Sequence, residues 1–247
     1  MTENAQLFDS FAEEYDEAVS IERKHDFFLD NLPPERDAVL DVGCGTGLLS
    51  GELSHHFHSV VALDISAPML AVARKKRSAP NIDYRLCDAN HFSSETRFDA
   101  IVSHTTFHHF PELSATLAKL KSLLAPQGRL IVVDCIARFP AAIPRWSISY
   151  RVYAALQFLP DHFQRGAGPA RTLLRFRTNR AWIEHRKSDR YLSASQFQEV
   201  YASCLPGARF TRMKTFTGAI WTAPKKEKTE SPNQPSMPTP QSDVTRP

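Results

Sequence analysis

The sequence predicts an α/β fold: a mainly parallel sheet with helices on both faces, and a helical insertion after the fifth strand. Three observations predict it. Between residues 38 and 135, short apolar runs that read as strands alternate with stretches that read as helices. The first run leads straight into a turn with glycine at alternate positions, Gly43, Gly45 and Gly47. From 136 to 190 the alternation stops, and an aromatic and then arginine-rich stretch replaces it.

The elements follow in order. Residues 7 to 31 read as one helix, with Leu7, Phe8, Phe11, Tyr15, Phe27, Phe28 and Leu32 on a broken apolar face, ended by Pro33-Pro34. "AVLDV" (38–42) is a short apolar run and the first strand. Residues 47 to 57 fit a helix. "SVVALD" (59–64) is the second strand. "APMLAVARKKR" (67–77) fits a helix, with Pro68 in its first turn and bases in its last. "IDYRLCD" (82–88) and "FDAIVSH" (98–104) read as the third and fourth strands. Residues 112 to 124 repeat Leu113, Leu117, Leu120 and Leu124 on one helical face before Pro126 and Gly128. "RLIVVDC" (129–135) is the fifth strand. After the insertion, "LSASQFQEVYASCL" reads as a helix with a capping box between Ser193 and Gln196. "ARFTRM" (208–213) and "AIWTA" (219–223) read as a closing strand pair.

This divides the chain into an N-terminal helical cap (1–35), a sheet domain in two pieces (36–137 and 191–223), a helical covering insertion (138–190) and a tail (224–247). The tail is Lys, Glu, Ser, Pro and Gln with almost no apolar residues. It cannot bury enough surface to offset ordering entropy and is expected to be disordered.

Composition bounds the function. With 247 residues, 42% of them hydrophobic, the chain can build a sizeable core. A formal net charge of +3 does not call for a polyanionic partner, but its distribution is uneven. Residues 1 to 35 carry ten acids against two bases; residues 165 to 190 carry eight bases against Glu184 and Asp189. Two readings follow: an anion-facing surface, or a basic face paired with the acidic N-terminal helix. The four cysteines, Cys44, Cys87, Cys135 and Cys204, form no CxxC. They point to a reducing compartment and to no zinc site, and no metal is expected. No signal-peptide pattern and no apolar run of about 18 residues is present, so a cytoplasmic protein is expected.

The glycine turn lets the backbone approach a ligand closely and adopt positive φ. It does not fit the dinucleotide fingerprint G-x-G-x-x-G: the sixth position is Leu48 counted from Gly43 and Ser50 counted from Gly45. "VLDVGCGTG" instead resembles motif I of the class I S-adenosylmethionine-dependent methyltransferases. "VVALDIS" resembles their second-strand motif, "LCDA" the third, "FDAIVSHTTFHHF" the fourth, and "LLAPQGRLIVVD" the segment that follows. "FDSFAEEYDEA" resembles the N-terminal helix that covers the cofactor in the small-molecule branch, the methyltransferase type 11-like group. The motifs span roughly 7 to 135 in the expected order.

The resemblance implies a Rossmann-like, seven-stranded sheet and S-adenosyl-L-methionine as cofactor. It implies that Asp64 binds the ribose hydroxyls, that Asp88 and Ala89 lie beside the adenine with Ile65 and Met69, and that Asp41, Gly43, Cys44, Gly45, Gly47 and Ser103 line the methionine side under Tyr15. The chemistry agrees. A ribose diol favours a carboxylate acceptor, and a methionine ammonium favours acids and carbonyls.

The methyl is already activated, so placing a nucleophile and excluding water are the main tasks. A base helps where the acceptor is a hydroxyl or an acidic carbon. The segment after the fourth strand makes His104 the first candidate for base or acceptor contact, with His108 and His109 next. The Asn/Asp-Pro-Pro-aromatic motif of nitrogen-directed relatives is absent from the fourth-strand segment. Phe139, Trp146, Tyr150, Tyr153, Phe158 and Phe163 make an apolar or aromatic small-molecule acceptor the leading expectation, for O- or C-methylation. An equal reading is that these side chains only pack the insertion onto the domain. Two other readings stay open. One is an RNA methyltransferase or binder using residues 165–190. The other is a non-catalytic cofactor-binding protein, or one that lays residues 143–159 on a membrane surface.

Overall fold

The computed structural model describes residues 11–22, 25–136, 148–185, 189, 191–213 and 216–225. Leu7, Phe8, Phe139, Trp146 and the tail from 226 onward lie outside them.

The sheet has seven strands: β1 (Ala38–Val42), β2 (Ser59–Asp64), β3 (Ile82–Leu86), β4 (Phe98–His104), β5 (Leu124–Cys135), β6 (Arg209–Arg212) and β7 (Phe216–Thr222). Their order across the sheet is β3-β2-β1-β4-β5-β7-β6. The first five are parallel; β7 runs antiparallel to both β5 and β6. Chain order reverses between β1 and β4, and ligands of open parallel sheets bind outside the strand ends at such a point. The fold class matches the expectation, and the closing strand pair falls where it was placed.

The strands are apolar because both faces are covered. All five residues of β1 are buried. On one face Leu40, Ile101 and Val132 pack with Leu117 and Leu120 of α5 (Leu113–Leu123) and with Phe197 and Tyr201 of α10 (Ala194–Cys204). On the other, Val39, Val60, Val102 and Ile131 pack with Phe28 of α2 (Asp26–Leu29) and with Leu49 and Leu53 of α3 (Leu48–Leu53). The capping box at the start of α10 forms in full: the Ser193 hydroxyl accepts from the Gln196 N–H, and the Gln196 side chain accepts from the Ser193 N–H.

The expected single helix over 7–31 is two helices in the described residues, α1 (Ala12–Glu22) and α2. They belong to different cores. Phe11, Tyr15 and Val19 pack with Met69 and Val72 of α4 (Ala67–Lys76), whereas Phe28 and Leu32 lie under the sheet. One straight helix cannot serve both, which is the physical meaning of the broken apolar face.

The insertion is helical: α6 (Ile148–Leu156), α7 (Phe158–Arg165), α8 (Ala167–Thr178) and α9 (Arg180–His185). Its basic residues meet the acidic first helix. Arg175 pairs with Glu17 at 2.6 Å, Arg177 with Glu22, Asn179 with Glu14 at 2.6 Å, and Arg165 with the Ile21 carbonyl at 2.9 Å. Internal pairing, one of the two readings of the charge asymmetry, forms at Arg165, Arg175 and Arg177.

Candidate active site

The site is built from the ends of the strands. Gly43, Gly45 and Gly47 have φ of 71°, 55° and 80°, the left-handed region that favours glycine. The turn is stitched to the next strand: the N–H groups of Gly43 and Cys44 donate to the Leu63 carbonyl at 2.8 and 2.9 Å. The Gly45 N–H donates to Asp64 Oδ2 at 2.7 Å, and the Ser66 N–H to Asp64 Oδ1 at 2.9 Å. Asp64 thus sits against the turn, at the end of β2, with both oxygens oriented by backbone.

Two of the glycines are required by close approach as well. A Cβ on Gly43 would lie 2.2 Å from the Thr106 side chain, which crosses from the end of β4 and donates its hydroxyl to the Gly43 carbonyl at 3.2 Å. A Cβ on Gly47 would lie 2.6 Å from the Tyr84 hydroxyl. Gly45 differs. Its open side meets only the Tyr15 ring, at 4.0 Å. The constraint at Gly45 is therefore φ, and the steric constraints belong to Gly43 and Gly47.

The first helix is clamped to this turn. Asp16 pairs with Lys76 at 2.8 Å and Arg77 at 2.7 Å, and Arg77 donates to the Thr46 carbonyl at 2.9 Å. Tyr15 is held over the turn by Phe11, Phe176 and Trp182, with ring centroids 5.9 to 6.4 Å away.

Not every expected cofactor residue presents its side chain to this space. Asp41 is 1% exposed and accepts from the Ser50 hydroxyl at 2.6 Å. The Cys44 side chain packs with Ala62, Leu70, Ala73 and Tyr84, and burial, then Asp64 and Asp41, push its thiol pKa up, so only its backbone faces the turn. Ser103 is fully buried and donates to the Val42 carbonyl at 2.9 Å; it ties β4 to β1 across the switch point. Met69 is buried against Phe11 and Tyr15, and Ala89 sits in the core. Asp88, at the end of β3, and Ile65 are partly exposed, and the Asn90 N–H donates to Asp88 Oδ1 at 2.8 Å.

The three histidines separate. His104 ends β4 with its ring among His25, Phe28 and Phe216, at 5.3 to 5.9 Å, on the α2 side of the sheet. It is parted from the other two: residues alternate across a strand, and its face is that of Ala100 and Val102, in the α2 core. His108 and His109 lie in the short helical turn Phe107–His109. Asp134 grips His108 twice, accepting from its N–H at 2.8 Å and from Nδ1 at 2.6 Å. A carboxylate only accepts, so Nδ1 carries a proton. His109 stacks on His108 at 4.0 Å and lies 5.1 Å from the His185 ring. Burial, with His108 and His185 as neighbours, holds the His109 pKa at about 2, so its ring is neutral at physiological pH.

Sequence reasoning missed Asp134, His185, Asp189 and Trp182. The signal for two of them was present: His185 and Asp189 stand four residues apart, one helical turn. Asp134 lies in an apolar run and is 4% exposed, which marks a carboxylate with a partner. Of the aromatic residues expected to line an acceptor pocket, Phe139, Trp146 and the Tyr150 side chain lie outside the described residues. Tyr153 and Phe163 point outward, 49% and 83% exposed, and Phe158 is half-buried.

A fold of this strand order, with a glycine turn and an acid at the end of the next strand, defines a class of protein. This chain matches the family described as "Methyltransferase domain" over residues 39–128. It is similar to an uncharacterized methyltransferase of Mycobacterium bovis, 37% identical over 116 residues that cover 45% of this chain and 58% of that protein. It is also similar to a ubiquinone biosynthesis O-methyltransferase of Xanthomonas axonopodis pv. citri, 35% identical over 115 residues that cover 45% of this chain and 48% of the relative. The chain thus spans about half the length of the curated relatives it matches. Among solved structures, a complex of DhpI with SAH superposes with a TM-score of 0.61 at 19% identity, over 90% of this chain and 95% of that one; the likeness is one of fold. Among the described residues, no helix is long and apolar enough to cross a membrane.

Proposed function

We propose that this chain transfers the methyl group of S-adenosyl-L-methionine to an oxygen or carbon of a small apolar or aromatic molecule. The observation that carries the reading is the Gly43–Gly47 turn, with Asp64 hydrogen-bonded to it, at the point where strand order reverses. The residues fit the cofactor. Gly45 leaves an open side under Tyr15, Asp64 can accept from a ribose diol, and Asp88 stands at the next strand end. Asp41, buried beside the turn, places negative charge where a methionine ammonium would lie. The cofactor, when bound, supplies a sulfonium methyl already activated for displacement.

The chain's own residues bind, orient and exclude water. Tyr15, Phe11, Phe176 and Trp182 close an aromatic cover over the turn. His108, fixed by Asp134, and His109, reached from the cover by His185, carry the acceptor-side chemistry. A small-molecule acceptor is supported by the ubiquinone biosynthesis O-methyltransferase among the relatives. The internal pairing of Arg175 and Arg177 takes two of the eight bases of that stretch away from an RNA acceptor. The domain division at 35, 137, 190 and 223 belongs to the same reading, with α1 and the insertion as covers.

Incubation with methyl-labelled cofactor and a panel of phenols, quinols and carboxylic acids tests the reading. Label transfer to a phenol or quinol supports it; transfer to RNA alone overturns it. A second reading concerns location. Val152, Tyr153, Leu156, Leu159 and Phe163 are each about half exposed or more on α6 and α7, which favours peripheral contact with lipid. Flotation with liposomes tests it; a chain that stays at the bottom of the gradient excludes it.

A further inference from the structure

The histidine cluster surrounds one buried carboxylate oxygen. Asp189 Oδ2 accepts from the Tyr191 hydroxyl. Asp189 Oδ1 is buried and has no hydrogen-bond partner among the described residues, and the side chain is 1% exposed. Three imidazole nitrogens surround that oxygen: His185 Nε2 at 3.6 Å, His109 Nδ1 at 3.8 Å and His108 Nε2 at 4.0 Å. These separations are too long for hydrogen bonds. They are close to the spacing between ligands of one ion: bonds of about 2.0–2.2 Å in a tetrahedron put the ligand atoms roughly 3.3–3.6 Å apart.

We propose that His108, His109 and Asp189 bind a divalent transition-metal ion of the zinc type, with His185 as a fourth donor. One ligand atom from each of the first three lies within 4.8 Å of the others, so closure on an ion needs shifts of about an ångström or less. The donor set, imidazole nitrogen with one carboxylate oxygen, suits zinc and its neighbours rather than calcium or magnesium. The surroundings fit as well. His108 donates Nδ1–H to Asp134, the outer carboxylate that metal-bound histidines use to fix the ring with its other nitrogen toward the ion. Tyr191 fixes the Asp189 carboxylate in the same way. The ligands come from the segment after β4 and from the end of the insertion, so an ion would also pin the cover to the sheet domain.

The inference rests on the methyltransferase reading for its consequence. An ion with an open position would hold the acceptor oxygen and lower its pKa, making a phenol, enol or carboxylate the acceptor class. The site itself is independent of that reading and is tested without turnover. The full chain, stripped with chelator, is titrated with cobalt(II) chloride and followed by visible absorption, then by displacement with zinc. The expected result is one cobalt per chain with the intense visible bands of four- or five-coordinate ions. Asp189→Asn and His109→Ala should weaken binding by tenfold or more, and Asp134→Asn by about ten- to a hundredfold. His58→Ala, at an exposed histidine, should leave it unchanged. Absence of the bands, or equal affinity in Asp189→Asn, overturns the proposal. Titration of the same samples with S-adenosylmethionine separates the two claims: cofactor binding without cobalt binding sinks the metal site alone.

Discussion

The Gly45 N–H donates to Asp64 Oδ2 at 2.7 Å, so the turn after the first strand and the acid at the end of the second form one unit. Neither residue has this role alone. The positive φ of Gly45 aims its amide, and the amide orients the carboxylate.

Asp64→Ala should therefore do two things. It removes the acceptor for the ribose, worth about 1.5–3 kcal/mol, a roughly ten- to hundredfold rise in the cofactor Kd. It also leaves the Gly45 and Ser66 amides without their acceptor. Asp64→Asn, which keeps an acceptor oxygen, should lose less. Calorimetry on the three proteins checks the order, and equal affinity in all three would remove Asp64 from the site.

The glycines should not respond alike. Gly45→Ala meets only its φ of 55°, a cost of about 1–2 kcal/mol. Gly47→Ala carries that cost and also displaces the Tyr84 hydroxyl from the Arg77 carbonyl, so about 2–4 kcal/mol is expected. Thermal unfolding should show the larger drop in Tm for Gly47→Ala. The reverse order would mean the turn differs from this description.

Asp16 links the first helix to the turn, and its ionisation should be felt in stability. Burial works to raise its pKa, but hydrogen bonds from Lys76, Thr46 and Arg77 outweigh burial and hold it below the ordinary 3.8. A carboxylate with a depressed folded pKa contributes stability that is present above pH about 4 and lost as pH falls through the folded value. Asp16→Asn should flatten the stability curve on the acid side of pH 4 and lower stability at pH 7. Denaturant titrations from pH 2.5 to 7 measure both. An unchanged acid limb would remove Asp16 as a contributor.

The cover should depend on charge pairing. Arg177 is 17% exposed and bridges Asp161, at 2.6 Å, to Glu22. Arg177→Ala strips a nearly buried Asp161 of its main partner, and about 1–3 kcal/mol of stability should go with it. The Arg177→Ala/Glu22→Ala double-mutant cycle isolates the part that crosses from insertion to first helix. A coupling energy of zero would mean that the Arg177–Glu22 pair does not hold the insertion to the first helix.

Most of the sheet was legible because its signals are local. Apolar runs, the alternate glycines and the Ser193–Gln196 capping box each report on a few adjacent residues. Asp64 stood out in the sequence because it is the residue at which β2 stops. What failed was direction and distance. Nothing in "SHTTFHHF" says that His104 faces the α2 core while His108 turns to Asp134. The meeting of His109 with Asp189 spans eighty positions and depends on how the insertion folds back. The break between α1 and α2 was visible as a broken stripe, but its cause is two separate cores, which exist only after folding.

The central claim is that the glycine turn and Asp64 hold S-adenosyl-L-methionine. Calorimetric titration of the purified chain with that cofactor, with NAD as the control ligand, tests it most directly. Micromolar binding at one site per chain, silence with NAD and a weakened response in Asp64→Ala are predicted. Absence of heat with S-adenosyl-L-methionine, or equal binding of NAD, would contradict the account.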